Sequence, residues 1–180
     1  KTLYPFQEQT VISILSELKE NGKDFNLLFQ LPTGGGKTVI FSEIARRYIE
    51  TMKEKVLILT HRIELSVQTS RQLSAIGVGN MVISSEVKEI PKDCDHQCFI
   101  AMVETLNNRL NDDKDFIKGV GLVIVDEAHY NSFRKIFQFY DNANILGVTA
   151  TPLSSNKALP LNDNYNKLLV GESISSLIEC

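Results

Sequence analysis

Residues 28 to 41 read LFQLPTGGGKTVIF. An apolar run meets Pro32 and three consecutive glycines, then Lys37, Thr38 and a second apolar run. Glycine costs chain entropy on folding, so three in a row imply a backbone that something must approach closely. The run before them suits a short buried strand, bounded by Gly22 and Pro32. The segment after them, TVIFSEIARRYIETM, has helical spacing, with Val39, Ile40, Ile44 and Tyr48 on one face. Strand, glycine turn and helix together predict one βα unit.

Working outward, the same alternation repeats. KVLILT, NMVISS, CFIAMV, GLVIVD and NILGVT are short apolar runs. Between them lie RIELSVQTSRQLSAIG, which stops at a capping Gly77, then ETLNNRL, and NSFRKIFQFY, all with helical character. Nearly continuous apolar strands alternating with helices predict a mostly parallel sheet covered on both faces, a three-layer α/β/α sandwich. Ligands of such sheets bind beyond the carboxyl ends of the strands. The glycines, THR after VLIL, DEAH after LVIV, and TAT after ILGV all fall there. The segment after Pro152 is polar and rich in Asn and carries little structural signal.

A glycine-rich turn entering a helix aims successive N–H groups into one concavity, with the positive helix end behind it. Thr33, Gly34, Gly35 and Gly36 are therefore candidates to cradle phosphates, Lys37 to meet the terminal phosphates of ATP, and Thr38 to ligate Mg2+. The P-loop template G-x-x-x-x-G-K-[ST] has its first glycine where this chain has Leu31; Gly36, Lys37 and Thr38 match. In VIVDEAH, residues 123 to 129, an acidic pair ends a buried strand, a costly placement without a task. Asp126 is placed to hold the Mg2+ shell, and Glu127 to orient or deprotonate the attacking water. The bland alternatives are a flexible glycine loop and a solvated helix cap; together the two motifs disfavour both.

LPTGGGKT, THRIEL, DEAH and TATP, in that order, resemble motifs I, Ia, II and III of the superfamily 2 helicases. These are ATP-driven nucleic-acid motors built from paired RecA-like domains. The resemblance implies a P-loop NTPase (RecA-like) fold, and residues 1–180 as the first motor domain. The second domain, with its arginine finger, is expected elsewhere in a parent chain, since Lys stands at residue 1 and nothing after TATP resembles its motifs. DEAH, THR-x-EL and the closing GESISSLIEC are similar to the XPB-like repair helicases and restriction-enzyme motor subunits. DNA is therefore expected over RNA. LYPFQEQTV resembles the LRPYQ element of this group, which implies that Gln7 reads adenine; Tyr4 stands where the pattern usually has Arg. His129 is implied to couple the nucleotide site to Thr149 and Thr151. Arg62, and Thr105 in AMVETL, are implied to hold nucleic-acid phosphates. Arg46 and Arg47 read as an ordinary solvated helix face.

Composition sets the limits. The 180 residues suffice for one domain with a sizeable core. Net charge is −3, so any nucleic-acid contact must come from a local face. Three cysteines argue against a disulfide scaffold and fit a reducing compartment, cytoplasmic, or nuclear in a eukaryote. No apolar run nears the ~20 residues of a membrane span. Cys94, His96 and Cys98 in CDHQC resemble half a metal site whose second half is missing.

The leading expectation is the ATP-binding domain of a DNA helicase or translocase. The alternatives are a duplex-DNA translocase subunit of a restriction system, an RNA helicase, and an ATP-dependent switch or scaffold without motor work. A metabolic P-loop kinase gives no reason for THR-x-EL or TATP.

Overall fold

In the computed structural model the described residues are 4–22, 26–30, 36–92, 94–126, 138–140, 142–149 and 167–170. The elements in order are α1 (Pro5–Asn21), β1 (Asn26–Gln30), α2 (Lys37–Met52), β2 (Lys55–Thr60), α3 (Ile63–Ala75), β3 (Asn80–Ile83), β4 (Cys98–Met102), α4 (Val103–Asp112), β5 (Val120–Asp126), β6 (Asn144–Thr149) and β7 (Lys167–Val170), with a 3-10 turn at Gln138–Tyr140.

The seven strands form one sheet in the order β3-β4-β2-β5-β6-β1-β7. Every pairing is parallel. The period of two along each strand splits its side chains between two cores. Leu57, Leu59, Phe99, Val123, Val125 and Ile145 face the layer that holds Val103, Leu106 and Leu110 of α4. Val56, Ile58, Ile100, Leu122, Ile124 and Leu146 face Val11 and Ile14 of α1, Ile40 and Ile44 of α2, and Leu73 of α3. Burial on both faces is why these strands read as unbroken apolar runs.

Two differences from the sequence expectations have physical causes. First, α1 is a full helix of 17 residues. Its buried positions Gln7, Thr10, Val11, Ile14 and Leu18 form a single stripe, and two of the five are polar, which blurs the apolar period. Tyr4 is its extended N-cap, Pro5 opens the first turn, and Gly22, at φ 71°, ends it by donating its N–H to Leu18 O at 3.2 Å. Second, Lys167–Val170 adds a strand beyond β1, within the segment that carries little signal in the sequence. Its pairing comes from the free edge of β1, a partner far away in sequence. Of the expected helix NSFRKIFQFY, residues 131–137 lie outside the described residues, and 138–140 form the 3-10 turn.

Among the described residues no helix is long and apolar enough to cross a membrane. Nor, among them, does any group of three or more His, Cys, Asp or Glu stand where it could hold a metal.

Candidate nucleotide site at the carboxyl edge of the sheet

The sheet order brings the chain ends that matter side by side. β6 lies between β5 and β1, with Asp126 in register with Val148 and Gln30 in register with Thr149. The end of β5, the end of β6 and the exit of β1 toward the glycines therefore form one edge. The first residue of α2, Lys37, reaches across this edge.

Gly36 is the N-cap of α2, left-handed at φ 74° and ψ 43°. Its carbonyl accepts the first helical bond, from Ile40 N at 3.0 Å. The left-handed dihedral favours glycine, and a Cβ built there would displace the Gln7 amide nitrogen that lies against the turn. Gln7 is 7% exposed. Its Oε1 accepts the backbone N–H of Tyr4 at 3.0 Å, the return half of a capping box. One side chain thus closes the start of α1 and lays its amide nitrogen on the turn into α2.

Lys37 Nζ lies 2.8 Å from Asp126 Oδ1. The Asp126 side chain is 2% exposed and that of Lys37 21%. A carboxylate that deep needs compensation from a cation, a metal or hydrogen bonds. Lys37 supplies this charge from the helix start, where the macrodipole adds to it. Thr38 follows in the first turn of α2 and is half-buried.

Arg62 is the exposed N-cap of α3, in extended conformation at φ −139°. The loop that carries it is fixed from beneath. Thr60 Oγ1 donates to Arg62 O at 3.2 Å and lies 2.8 Å from the buried Ser66 hydroxyl. The Thr60–Ser66 pair escaped the sequence reading, and the signal available was a hydroxyl at the strand end with a second one in the following first turn. Thr105 sits half-buried in the first turn of α4. Because Thr60 of β2 is in register with Met102 of β4, Arg62 and Thr105 leave the same edge from neighbouring strands. They stand on the β4–β2 side, and the Lys37–Asp126 pair on the β5–β6–β1 side.

Thr149 is described as the last residue of β6 by its backbone alone. Thr33, Gly34, Gly35, Glu127, His129 and Thr151 lie outside the described residues, as does GESISSLIEC.

The pair Arg46 and Arg47 is not an ordinary solvated face. Arg47 reaches α1 with a two-pronged bond to Glu8: Nη1 to Oε2 at 2.8 Å and Nη2 to Oε1 at 2.7 Å. Its Nε also donates to Glu43 Oε1 at 2.9 Å. Arg46 bonds Glu43 through Nε and Nη2, and Glu50 through Nη1 at 3.0 Å. Glu43 is buried at the centre of this network. Burial pushes its carboxyl up, but the bonds from Arg46 and Arg47 outweigh it and hold the group below its ordinary value. The Arg47 bond likewise lowers Glu8. Sequence spacing shows the helical Glu43–Arg47 pairing but not a partner on another helix.

Residues 1–154 match the family described as Type III restriction enzyme, res subunit. The chain belongs to this family. It carries the superfamily 2 helicase motor domain of the restriction-enzyme-like group. Among relatives of this res-subunit domain, IRC3 of Saccharomyces cerevisiae, whose name includes ATP-dependent helicase, is 32% identical over 148 residues, covering 77% of this chain and 21% of that protein. The ATP-dependent RNA helicase DHX58 of Mus musculus is 25% identical over 175 residues, covering 83% and 25%. The ATP-dependent DNA helicase mph1 of Neurospora crassa is 27% identical over 169 residues, covering 85% and 14%. The chain spans less than a third of the length of these relatives.

Two solved structures share the fold. The type ISP restriction-modification enzyme LlaGI, solved with a DNA substrate mimic, gives a TM-score of 0.74 at 19% identity, covering 100% of this chain and 21% of that one. The helicase domain of Hef from Pyrococcus furiosus gives 0.71 at 24%, covering 92% and 37%.

Proposed function

We propose that this domain binds and hydrolyses ATP as the first of two RecA-like domains of a DNA helicase or translocase. The observation that carries the reading is the ion pair between Lys37, at the start of α2, and the buried Asp126, at the end of β5. It sets a cation and a carboxylate on one sheet edge, beside a turn where Gly36 is left-handed and Gln7 lies against it.

These residues suit Mg-ATP. Lys37 would give its charge to the terminal phosphates, with the backbone of residues 33–36 around them. Thr38 and Asp126 would hold Mg2+, which when bound offsets the charge on the phosphate oxygens. Gln7, already against Gly36, would meet the adenine edge with donor and acceptor together. Glu127 would take the proton of the attacking water. His129, Thr149 and Thr151 would pass the nucleotide state to the nucleic-acid side, where Arg62 and Thr105 hold phosphates without reading sequence.

DNA is favoured over RNA by THR-x-EL, by DEAH and by the restriction enzymes that give the family its name. An arginine finger from a second domain would supply about 10³ to 10⁵ in rate. We therefore expect residues 1–180 alone to turn ATP over very slowly.

The test is ATP turnover by the full-length protein without nucleic acid, with single-stranded DNA, with duplex DNA and with RNA. Strong stimulation by one of the DNAs is expected; equal rates in all four would favour an ATP-dependent switch over a motor. Glu127→Gln should still bind ATP while hydrolysis stops, and normal turnover by that variant would remove Glu127 from its role.

A further inference from the structure

The network between α1 and α2 does work beyond holding two helices together. Gln7 sits in the first turn of α1, preceded by an exposed Tyr4. The later turns of α1 are fixed by Val11, Ile14 and Leu18 in the core. The first turn carries the residue whose carboxamide must stay on Gly36. Next to it in sequence, Glu8 is gripped by both terminal nitrogens of Arg47. A two-pronged guanidinium–carboxylate bond fixes orientation as well as distance. Arg47 is itself oriented by Glu43, which Arg46 also binds. The rotation of α1 about its axis, and with it the direction of Gln7, is tied in this way to the helix that begins at Gly36.

The geometry points to Arg47 and Glu8 as positioning residues for base recognition: their clasp holds the Gln7 carboxamide at the height and angle at which it distinguishes adenine from guanine. This rests on the reading of Gln7 as the adenine-contacting residue. Neither Arg47 nor Glu8 touches the nucleotide in this scheme. Breaking the clasp should loosen selection of the base and leave the hold on the phosphates, which belongs to Lys37 and the glycines.

The experiment is calorimetric titration of the full-length protein with ADP and with GDP. The ratio of the two dissociation constants cancels the shared phosphate contribution. The variants are Gln7→Ala, Glu8→Gln, Arg47→Met, Arg47→Lys and the double variant Glu8→Gln/Arg47→Met, each checked for an intact thermal melt. The wild type should prefer ADP, and Gln7→Ala should abolish the preference. Glu8→Gln and Arg47→Met should each reduce it about two- to fivefold, the scale of a partly exposed ion pair. The double variant should lose no more than either single one, because both remove the same bond. Arg47→Lys, which keeps the charge but not the fork, should retain part of the preference.

A wild type without adenine preference would overturn the reading of Gln7 and this inference with it. A preference that Gln7→Ala abolishes and both clasp variants keep in full would overturn the inference alone. Equal weakening of ADP and GDP in the clasp variants would also overturn it, leaving the network a role in stability only.

Discussion

At the scale of single residues, Lys37 shows why a side chain at a candidate site cannot be weighed by its catalytic role alone. Its ammonium is the countercharge of a carboxylate that is 2% exposed. Removing one member of a buried pair leaves the other desolvated, which costs more than the pair itself contributes. Lys37→Met should therefore lower stability by roughly 1–3 kcal/mol in the absence of nucleotide, apart from any loss of ATP binding. Lys37→Met/Asp126→Asn should recover part of that loss, since the stranded charge is gone. Denaturant melts of the two variants and the wild type decide the matter; a Lys37→Met protein as stable as wild type would mean that Asp126 is satisfied without Lys37. The GKT motif and the final Asp of LVIVD were legible as candidates in the sequence. Their contact was not, because Asp126 lies 89 positions from Lys37 and only the sheet order closes that distance.

At the scale of elements, the coupling of α1 to α2 depends on pH with a definite sign. Burial raises the Glu43 carboxyl, but the bonds from Arg46 and Arg47 outweigh it, so folding lowers the group below its ordinary value. A carboxyl lowered by folding contributes its stability in full above the unfolded value, and that stability is lost as pH falls through the folded one. Glu8 is lowered in the same direction. The stability gap between wild type and Glu43→Gln should thus be widest near neutral pH and close as pH falls below the ordinary carboxylate range, followed by thermal melts across the range. A gap independent of pH would show that Glu43 acts through packing rather than charge. This element pairing was illegible beforehand for a specific reason. A helix face bearing Glu, Arg and Arg at helical spacing has the same pattern whether it meets water or another helix, and Glu8 lies 39 positions from Arg47.

At the scale of the whole molecule, stability rests on the two cores that sandwich the sheet. Ile58, fully buried in β2 between β4 and β5, belongs to the core shared with α1, α2 and α3. Ile58→Ala should cost about 2–5 kcal/mol, through lost apolar burial and the cavity left in the layer. Ile12 is 47% exposed on the outer face of α1. Ile12→Ala should stay within about 0.5 kcal/mol of wild type. Chemical denaturation of both variants checks the contrast, and similar costs would contradict the layered packing. The same layers orient the site: parallel strands put the last residues of β1, β2, β4, β5 and β6 on one edge.

The sequence by itself determined the chain class, the strands β1 to β6, and the glycine turn that is the candidate for phosphate binding. Each is written in local terms that need no distant partner: apolar runs of strand length, glycines before a Lys-Thr pair, a carboxylate closing a buried strand. The tertiary structure alone decided which of these local pieces touch. It set Lys37 on Asp126, laid Gln7 on Gly36, joined Arg47 to Glu8, and recruited Lys167–Val170 to the open edge of β1. Strand order and helix docking are fixed by the mutual burial of whole faces, a property of the assembled layers that no single stretch of sequence carries.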